Sequence, residues 1–367
     1  MKHDRFAYID ALRGWAILGV IVTHAGSLTK LGGVPGRVVE FGGRGVQLFF
    51  IVSAFTIFLT YKRALERETF PTKNFFTRRL MRIVPMYWLG IVLYTAVYGL
   101  ASRGWKDGPE LWHYPLHLTL TNVLVPSATS SVVPGGWSIS VEVLFYLTTP
   151  LWFWVVKSLR DAMAFTAASL VFGAIFISTG ADAVPGIDQY WFRSFPSQLP
   201  CFGFGMILYY WVQSNPNGLT TQSANLGLLM AAVAMALIGF TNALPIVPSH
   251  YWTTGGFLLL AMSLVATPSV LIVNRLTVWV GQISFSAYLL HFLVLKQIDL
   301  AMHDSITGYG RFAVVTAVGI MVTLPVAWLS YRYAETAFSN LGKRWISQRE
   351  SQSRRFGVVD LNAGRRN

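Results

Sequence analysis

Arg13 and His24 stand eleven residues apart in an otherwise apolar run, YIDALRGWAILGVIVTH. On an α-helix that spacing is about three turns, so both side chains share one face with roughly 16 Å between them along the axis. An ionisable residue inside a membrane helix is costly and faces a partner, a cavity or a pathway. One face thus offers an anion-binding group at one end and a titratable base at the other. Glu142, in GGWSISVEVLFY, is the carboxylate set well inside a predicted span, at a depth expected to match His24. Two readings are open for it: a group that orients an imidazole or an acceptor hydroxyl, and a polar pin to a neighbouring helix. Arg79 and Arg82, in RRLMRIVPMY, lie three apart at the predicted start of the third span. They read either as positive charge left on the cytoplasmic side or as a phosphate clamp. Guanidinium forks bind phosphate bidentately, helix N-termini add backbone donors, and Arg13 is placed to join them.

Weaker signals lie in LFFIVSAFTIF and GQISFSAYLLHF. Their small residues, Ser53, Ala54, Ser284 and Ser286, suit close helix packing in a membrane. His291 is either a structural hydrogen-bonding residue or a second base. In the loop 102–136, His113 and His117 have the i, i+4 spacing of a metal pair, yet no third ligand is evident, and no metal is expected. The aromatics Trp105, Trp112 and Tyr114 in that loop form either an interfacial belt or an acceptor entrance. Cys201 is the single cysteine, which excludes an internal disulfide.

These residues need a frame, and composition supplies it. Of 367 residues 53% are hydrophobic and 12% charged, with a mean hydropathy of +0.49. An average soluble chain carries about a quarter charged residues, so too few are present to coat a soluble globule. At about 20 residues per crossing, the apolar segments 11–28, 45–61, 84–101, 137–156, 162–179, 195–211, 226–241, 252–266, 278–298 and 312–331 predict an all-α, polytopic transmembrane bundle of about ten helices. The net charge of +13 follows topology rather than nucleic acid. With the N-terminus inside, the cytoplasmic face takes Lys2, Arg5, the dense 62–82 loop, Lys157, Arg160, Arg275 and the C-terminal cations, as the positive-inside rule requires. The expected arrangement is N-in and C-in, with a membrane domain over 1–346 and a basic, flexible tail over 347–367 near anionic headgroups. The first segment also has the outline of a signal peptide, with small residues Ala25, Gly26 and Ser27 after the apolar run; N-terminal sequencing separates the two readings.

Taken in order, these segments resemble the acyltransferase 3 family of membrane acyltransferases. Arg13 and His24 match the family's arginine, ten residues, histidine signature, with Asp10 and Gly14 in its lead-in. Phe49, Phe50 and Ser53 match F-F-x-x-S-G; Arg79, Arg82, Ile83 and Pro85 match R-x-x-R-I-x-P; Trp137, Ser138 and Glu142 match W-S-x-x-x-E. Ile283, Ser284, Tyr288, Leu289 and His291 match I-S-x-x-x-Y-L-x-H, and Ser330, Tyr331, Arg332 and Glu335 match the closing S-Y-R-x-x-E. Ala54 departs from the usual glycine, which puts a very close helix approach there in question. Thr336 and Ala337 replace a common lysine and proline, so the last helix is expected to end differently. Many relatives carry a hydrolase-like domain after the bundle, and none is expected in this sequence, which leaves too few residues after its last span.

The resemblance implies an O-acyltransferase that takes an acyl group, acetyl first among candidates, from cytoplasmic acyl-CoA to a hydroxyl of a saccharide or glycoconjugate at the outer face of a bacterial inner membrane. On that implication Arg13, Arg79 and Arg82 hold the CoA phosphates, His24 is the base, Glu142 orients His24 or the acceptor, and Ser53, Trp137, Ser138, Tyr288 and His291 contact substrate. An acyl-enzyme on His24 is an alternative route. The rival class is a transporter or flippase, which buried polar residues also suit, although no internal repeat of the kind many transporters show is visible.

Overall fold

In hydrocarbon every backbone polar group has to be satisfied within its own segment or a closed barrel, and this chain takes the helical solution. A computed structural model describes residues 6–103, 108–219, 221–302 and 306–355, and the regular elements among them are all helical. Lys2, Arg5, Trp105, Lys106 and residues 356–367 lie outside the described residues. Helix α1 (Ala7–Leu28) carries the Arg13 and His24 face without interruption. After α2 (Gly33–Phe41) and one 3-10 turn come α3 (Gly45–Arg67) and α4 (Pro71–Tyr98). The long loop holds the short α5 (His113–Leu118). Then follow α6 (Gly136–Val155), α7 (Leu159–Ala183), α8 (Asp188–Arg193), α9 (Phe195–Ser214), α10 (Gln222–Thr241), α11 (Ser249–Ala266), α12 (Arg275–Gln282), α13 (Ser284–Ala301) and α14 (Gly308–Ser330). One π-helical turn, Tyr331–Glu335, leads into α15 (Thr336–Arg355).

Each of the ten apolar segments falls on a helix. Among the described residues seven helical stretches are long and apolar enough to cross a membrane, or eight if the bent pair α12 and α13 is one span. The two outside that set, α9 and α11, carry polar residues turned inward rather than to lipid. Gln198 is bonded to Gln47 of α3 at 3.0 Å, and Tyr251 donates to the Ser197 carbonyl at 2.9 Å.

Close approach fixes the helices that carry the polar groups. A side chain on Gly14 of α1 would collide with the Thr277 carbonyl of α12, and one on Gly281 of α12 with the Asp10 carbonyl, so these two helices pack backbone to backbone around Arg13. The approach questioned at Ala54 is kept by its partner. Gly205 of α9 faces the Ile51 carbonyl and the Ala54 methyl, and a side chain there would strike both.

Three local expectations change. Segment 278–298 is not a straight span, because the chain bends by 79° between α12 and α13. The third helix starts at Pro71, well before Arg79 and Arg82, so neither arginine sits at its N-terminus. Its first turn is capped from afar: Glu350 of α15 accepts the Thr69 and Phe70 amides at 3.0 and 3.2 Å and the Asn74 side chain at 2.7 Å. For the same reason the helix continues past 346. Residues 347–355 of the expected tail are helical, with Arg349 bonded to the Asn74 oxygen at 2.7 Å.

Candidate active site

Three guanidinium groups from two helices converge on one cavity. Arg13 of α1 with Arg79 and Arg82 of α4 line it, opposite Ser53 of α3, Glu142 and Tyr146 of α6, and Ser138 and Tyr288. Its empty space is about 650 Å³, part of it continuous with solvent. Ser284 and Phe285 also line the wall. The bend before α13 therefore directs that helix's first turn, the positive end of its dipole, at the same space.

Each arginine is held at one edge. Arg13 lies 3.6 Å from Asp10 and donates to the Thr56 hydroxyl at 3.3 Å. Arg79 donates to the Thr60 hydroxyl at 3.0 Å and lies over the rings of Tyr146 and Phe75, 5.5 and 5.8 Å from their centroids. Among the described residues it has no carboxylate within ion-pair distance. Arg82 donates through Nε to Glu335 at 3.1 Å, while the other Glu335 oxygen accepts from Ser286 at 2.9 Å. Glu335 is 2% exposed and comes from the π-helical turn; such turns recur at functional sites. Glu142 Oε1 accepts from the hydroxyls of Ser53 and Tyr146, the latter at 2.5 Å. The three arginines and Glu142 interact electrostatically with one another.

Beyond the cavity, higher on the same face of α1, lies a histidine pair. The His24 ring is 5.1 Å from that of His291 and 5.5 Å from that of Phe292. Among the described residues nothing hydrogen-bonds the His24 nitrogens. His291 Nδ1 faces the Tyr288 carbonyl at 2.7 Å and the Ala287 carbonyl at 3.2 Å, so it carries the proton. His291 Nε2 is then a buried lone pair without a partner among the described residues. Tyr288 joins the two regions, because it lines the cavity and its ring lies 5.6 Å from that of His291. Its hydroxyl is pinned to Ser138 at 2.7 Å and to the Gly135 carbonyl at 3.2 Å. Gly135 has φ of +75°, a conformation glycine adopts without strain, and a side chain there would press on the Tyr288 hydroxyl.

The sequence-predicted residues therefore divide. Arg13, Arg79, Arg82, Ser53, Glu142, Ser138 and Tyr288 meet at the cavity. His24 and His291 form a second group next to it, and Glu142 makes no hydrogen bond to His24. Trp137 stands behind the wall, packed edge-on to Phe50 and tilted against Phe192 at 6.2 and 6.0 Å. Thr56, Thr60, Tyr146, Ser286 and Glu335 were not singled out as site residues, though Glu335 ends a quoted motif. Arg193 of α8 also acts electrostatically on His24 and Tyr288. In the loop, His117 accepts from Tyr87 at 2.8 Å and donates to the Ala128 carbonyl at 2.7 Å. His113 accepts from the Glu110 amide and meets Ser127, both at 3.2 Å. Both are structural tethers, and among the described residues no group of three or more His, Cys, Asp or Glu could hold a metal.

A helical bundle with seven or eight stretches among the described residues long and apolar enough to cross a membrane, and an arginine-lined cavity inside it, defines a multi-pass membrane protein. The chain matches the acyltransferase 3 family, described as an acyltransferase domain, over residues 6–332, and it belongs to that family. It is a membrane acyltransferase. It is 27% identical over 298 residues to a protein of Acidianus two-tailed virus named as a candidate acetyltransferase, covering 80% of this chain and 84% of that one. It is 24% identical over 382 residues to acyltransferase MdmB of Streptomyces mycarofaciens, covering 94% and 93%. A Staphylococcus aureus (strain COL) protein named as a candidate O-acetyltransferase is 24% identical over 397 residues; 97% of this chain spans 61% of that longer one. No solved structure matches the chain at a significant level.

Proposed function

We propose that the protein moves an acyl group, acetyl first, from cytoplasmic acyl-CoA to a hydroxyl of a saccharide or glycoconjugate at the outer face of a bacterial inner membrane. The observation that carries this reading is the convergence of Arg13, Arg79 and Arg82 on one cavity, with His24 farther along the same face of α1. Three cations beside one cavity carboxylate favour a polyanion such as the CoA phosphates, and the first turn of α13 adds to the attraction. Arg79 and Arg82 lie in the basic stretch 62–82, which spans the end of α3 and the start of α4, in keeping with a bundle of ten spans, N-in and C-in. The names of the relatives, acetyltransferase and O-acetyltransferase, agree with the chemistry.

In this scheme the pantetheine arm extends from the clamp past Tyr288 toward the histidine pair. A neutral His24 takes the proton of the acceptor hydroxyl while its oxygen attacks the thioester carbonyl. The C–S bond then breaks, and the leaving thiolate takes the proton from His24 to give CoA and an ester. Glu142, with one oxygen held by Ser53 and Tyr146, orients the acceptor in this scheme. The test uses detergent-purified protein, labelled acetyl-CoA and membrane glycoconjugates extracted from the source cells. Label is expected to enter the glycoconjugate, and His24→Ala is expected to reduce transfer at least about a hundredfold, the usual scale of a general base, with the protein still folded. Wild-type transfer by that variant, or substrate flux without a covalent product, contradicts the scheme.

A further inference from the structure

Hydroxyl side chains inside apolar helices commonly satisfy themselves by bonding back to their own helix. Three on α3 do more. Ser53, Thr56 and Thr60 follow one another at i, i+3 and i+7, a single stripe down the helix. The Thr56 hydroxyl donates to the Val52 carbonyl at 2.9 Å, and the Thr60 hydroxyl to the Thr56 carbonyl at 2.7 Å. A hydroxyl has one proton and two lone pairs. With the proton committed to backbone, each oxygen is fixed as an acceptor facing out of the helix, and each takes an arginine: Arg13 on Thr56 at 3.3 Å, Arg79 on Thr60 at 3.0 Å. Ser53, one turn above, has no such back-bond and gives its proton to Glu142. One stripe thus holds three charges from three other helices, α1, α4 and α6, with acceptors under the cations and a donor under the anion.

We infer that α3 is the rack that orients the charged groups of the cavity, with Thr56 and Thr60 as positioning residues for the anion clamp. The inference rests on the donor reading of the arginines. A guanidinium on a flexible stem loses rotamer freedom when it binds, and one already pinned through a terminal nitrogen has less to lose. The remaining N–H groups of Arg13 and Arg79 are then presented to the ligand as a prepared fork.

The experiment is a titration of purified protein with acetyl-CoA. Thr56→Val and Thr60→Val preserve shape and remove the acceptor, whereas Thr56→Ser and Thr60→Ser keep it. Each valine variant is expected to weaken acetyl-CoA binding by about tenfold, the scale of one hydrogen bond to a charged group. Each serine variant is expected to bind like wild type, and ligand-free melting temperatures should stay level across the set. Valine variants that bind like wild type, or serine variants as weak as the valine ones, overturn the rack. Arg79→Ala in the same titration separates the two levels. If it weakens binding while Thr60→Val does not, the rack fails and the clamp stands; if it too binds like wild type, the donor reading falls and the rack with it.

Discussion

Arg79 and Arg82 lie one helical turn apart on one wall, and their surroundings predict opposite costs of removal. Arg82 is tied to Glu335, which is buried and shares its second oxygen with Ser286. Taking away Arg82, whose side chain is 32% exposed, leaves the buried Glu335 uncompensated, at a cost below that of a fully buried pair, about 3–5 kcal/mol. Arg82→Ala should therefore destabilise the ligand-free protein, and the double replacement with Glu335→Ala should recover part of the loss. The check is a thermal-unfolding double-mutant cycle, and strictly additive effects would contradict the pairing. Arg79 leans instead on the Thr60 hydroxyl and two aromatic faces. Its replacement by alanine should leave the ligand-free fold intact, which makes it the cleaner probe of the clamp.

The π-helical turn that places Glu335, the bend that opens α13 and the docked end of α15 all serve the cavity wall. Glu350 is the link between α15 and the helix that bears Arg79 and Arg82. Its partial burial alone would raise its carboxyl, but the amides of Thr69 and Phe70 and the Thr69 and Asn74 side chains outweigh that and hold it below the usual range. Its folded value being lowered, the stabilisation is present above the ordinary carboxyl value and is lost as pH falls through the lowered one. Glu350→Gln should cost about 1 kcal/mol, on the scale of a helix cap, and should reduce that acid sensitivity. Equal melting curves for both proteins at neutral pH would sink the capping role. A bulkier change tests the α1 and α12 contact: Gly281→Val drives a side chain into the Asp10 carbonyl, so folded yield should fall sharply.

Much of this framework was legible in the sequence, and the losses have physical causes. The apolar segments announce an all-helical membrane bundle because a long hydrophobic run has few other outcomes, while among the described residues seven stretches, or eight with the bent pair, are long and apolar enough to cross. The break at Ile283 carries no proline and no cap of its own, so composition is silent there. Helix α2 lies outside the ten apolar segments because it is only nine residues long. Arg13, Arg79, Arg82, His24 and Glu142 were visible because charge is rare in such segments. Glu335 was visible only as a motif, since its partner Arg82 is 253 residues away. Thr56 and Thr60 were hidden because a hydroxyl in an apolar helix usually needs no partner beyond its own backbone.

Across the bundle the two ends differ, with the arginine clamp toward one mouth and the histidine pair with the 102–136 loop toward the other. That loop is anchored by His117, whose burial, opposed in part by its bond to the Ala128 carbonyl, lowers its pKa to about 4. Unfolded, the same ring titrates near about 6.5. Because the folded value is lowered, its contribution is complete above the unfolded value and drains away as pH falls from there to about 4. His117→Gln should therefore remove about one proton from the acid slope of stability in that window; an unchanged slope would contradict the assignment. Orientation is testable because Cys201 is buried and silent to labelling. An impermeant maleimide should reach Thr119→Cys from outside intact spheroplasts and Lys343→Cys only after lysis, and the reverse pattern would invert the topology.

The central claim, that the arginine cavity is a cytoplasmic acyl-CoA site, is tested most directly by the thermal stability of purified protein with and without acetyl-CoA, in parallel for wild type and Arg79→Ala. A ligand that binds only the folded state raises stability by mass action, about 2.7 kcal/mol at a hundred times Kd. The expected result is a rise in melting temperature for wild type that is largely lost in Arg79→Ala, with equal ligand-free baselines. No rise in wild type with acetyl-CoA or with longer acyl-CoAs, or an equal rise in both proteins, would contradict the account.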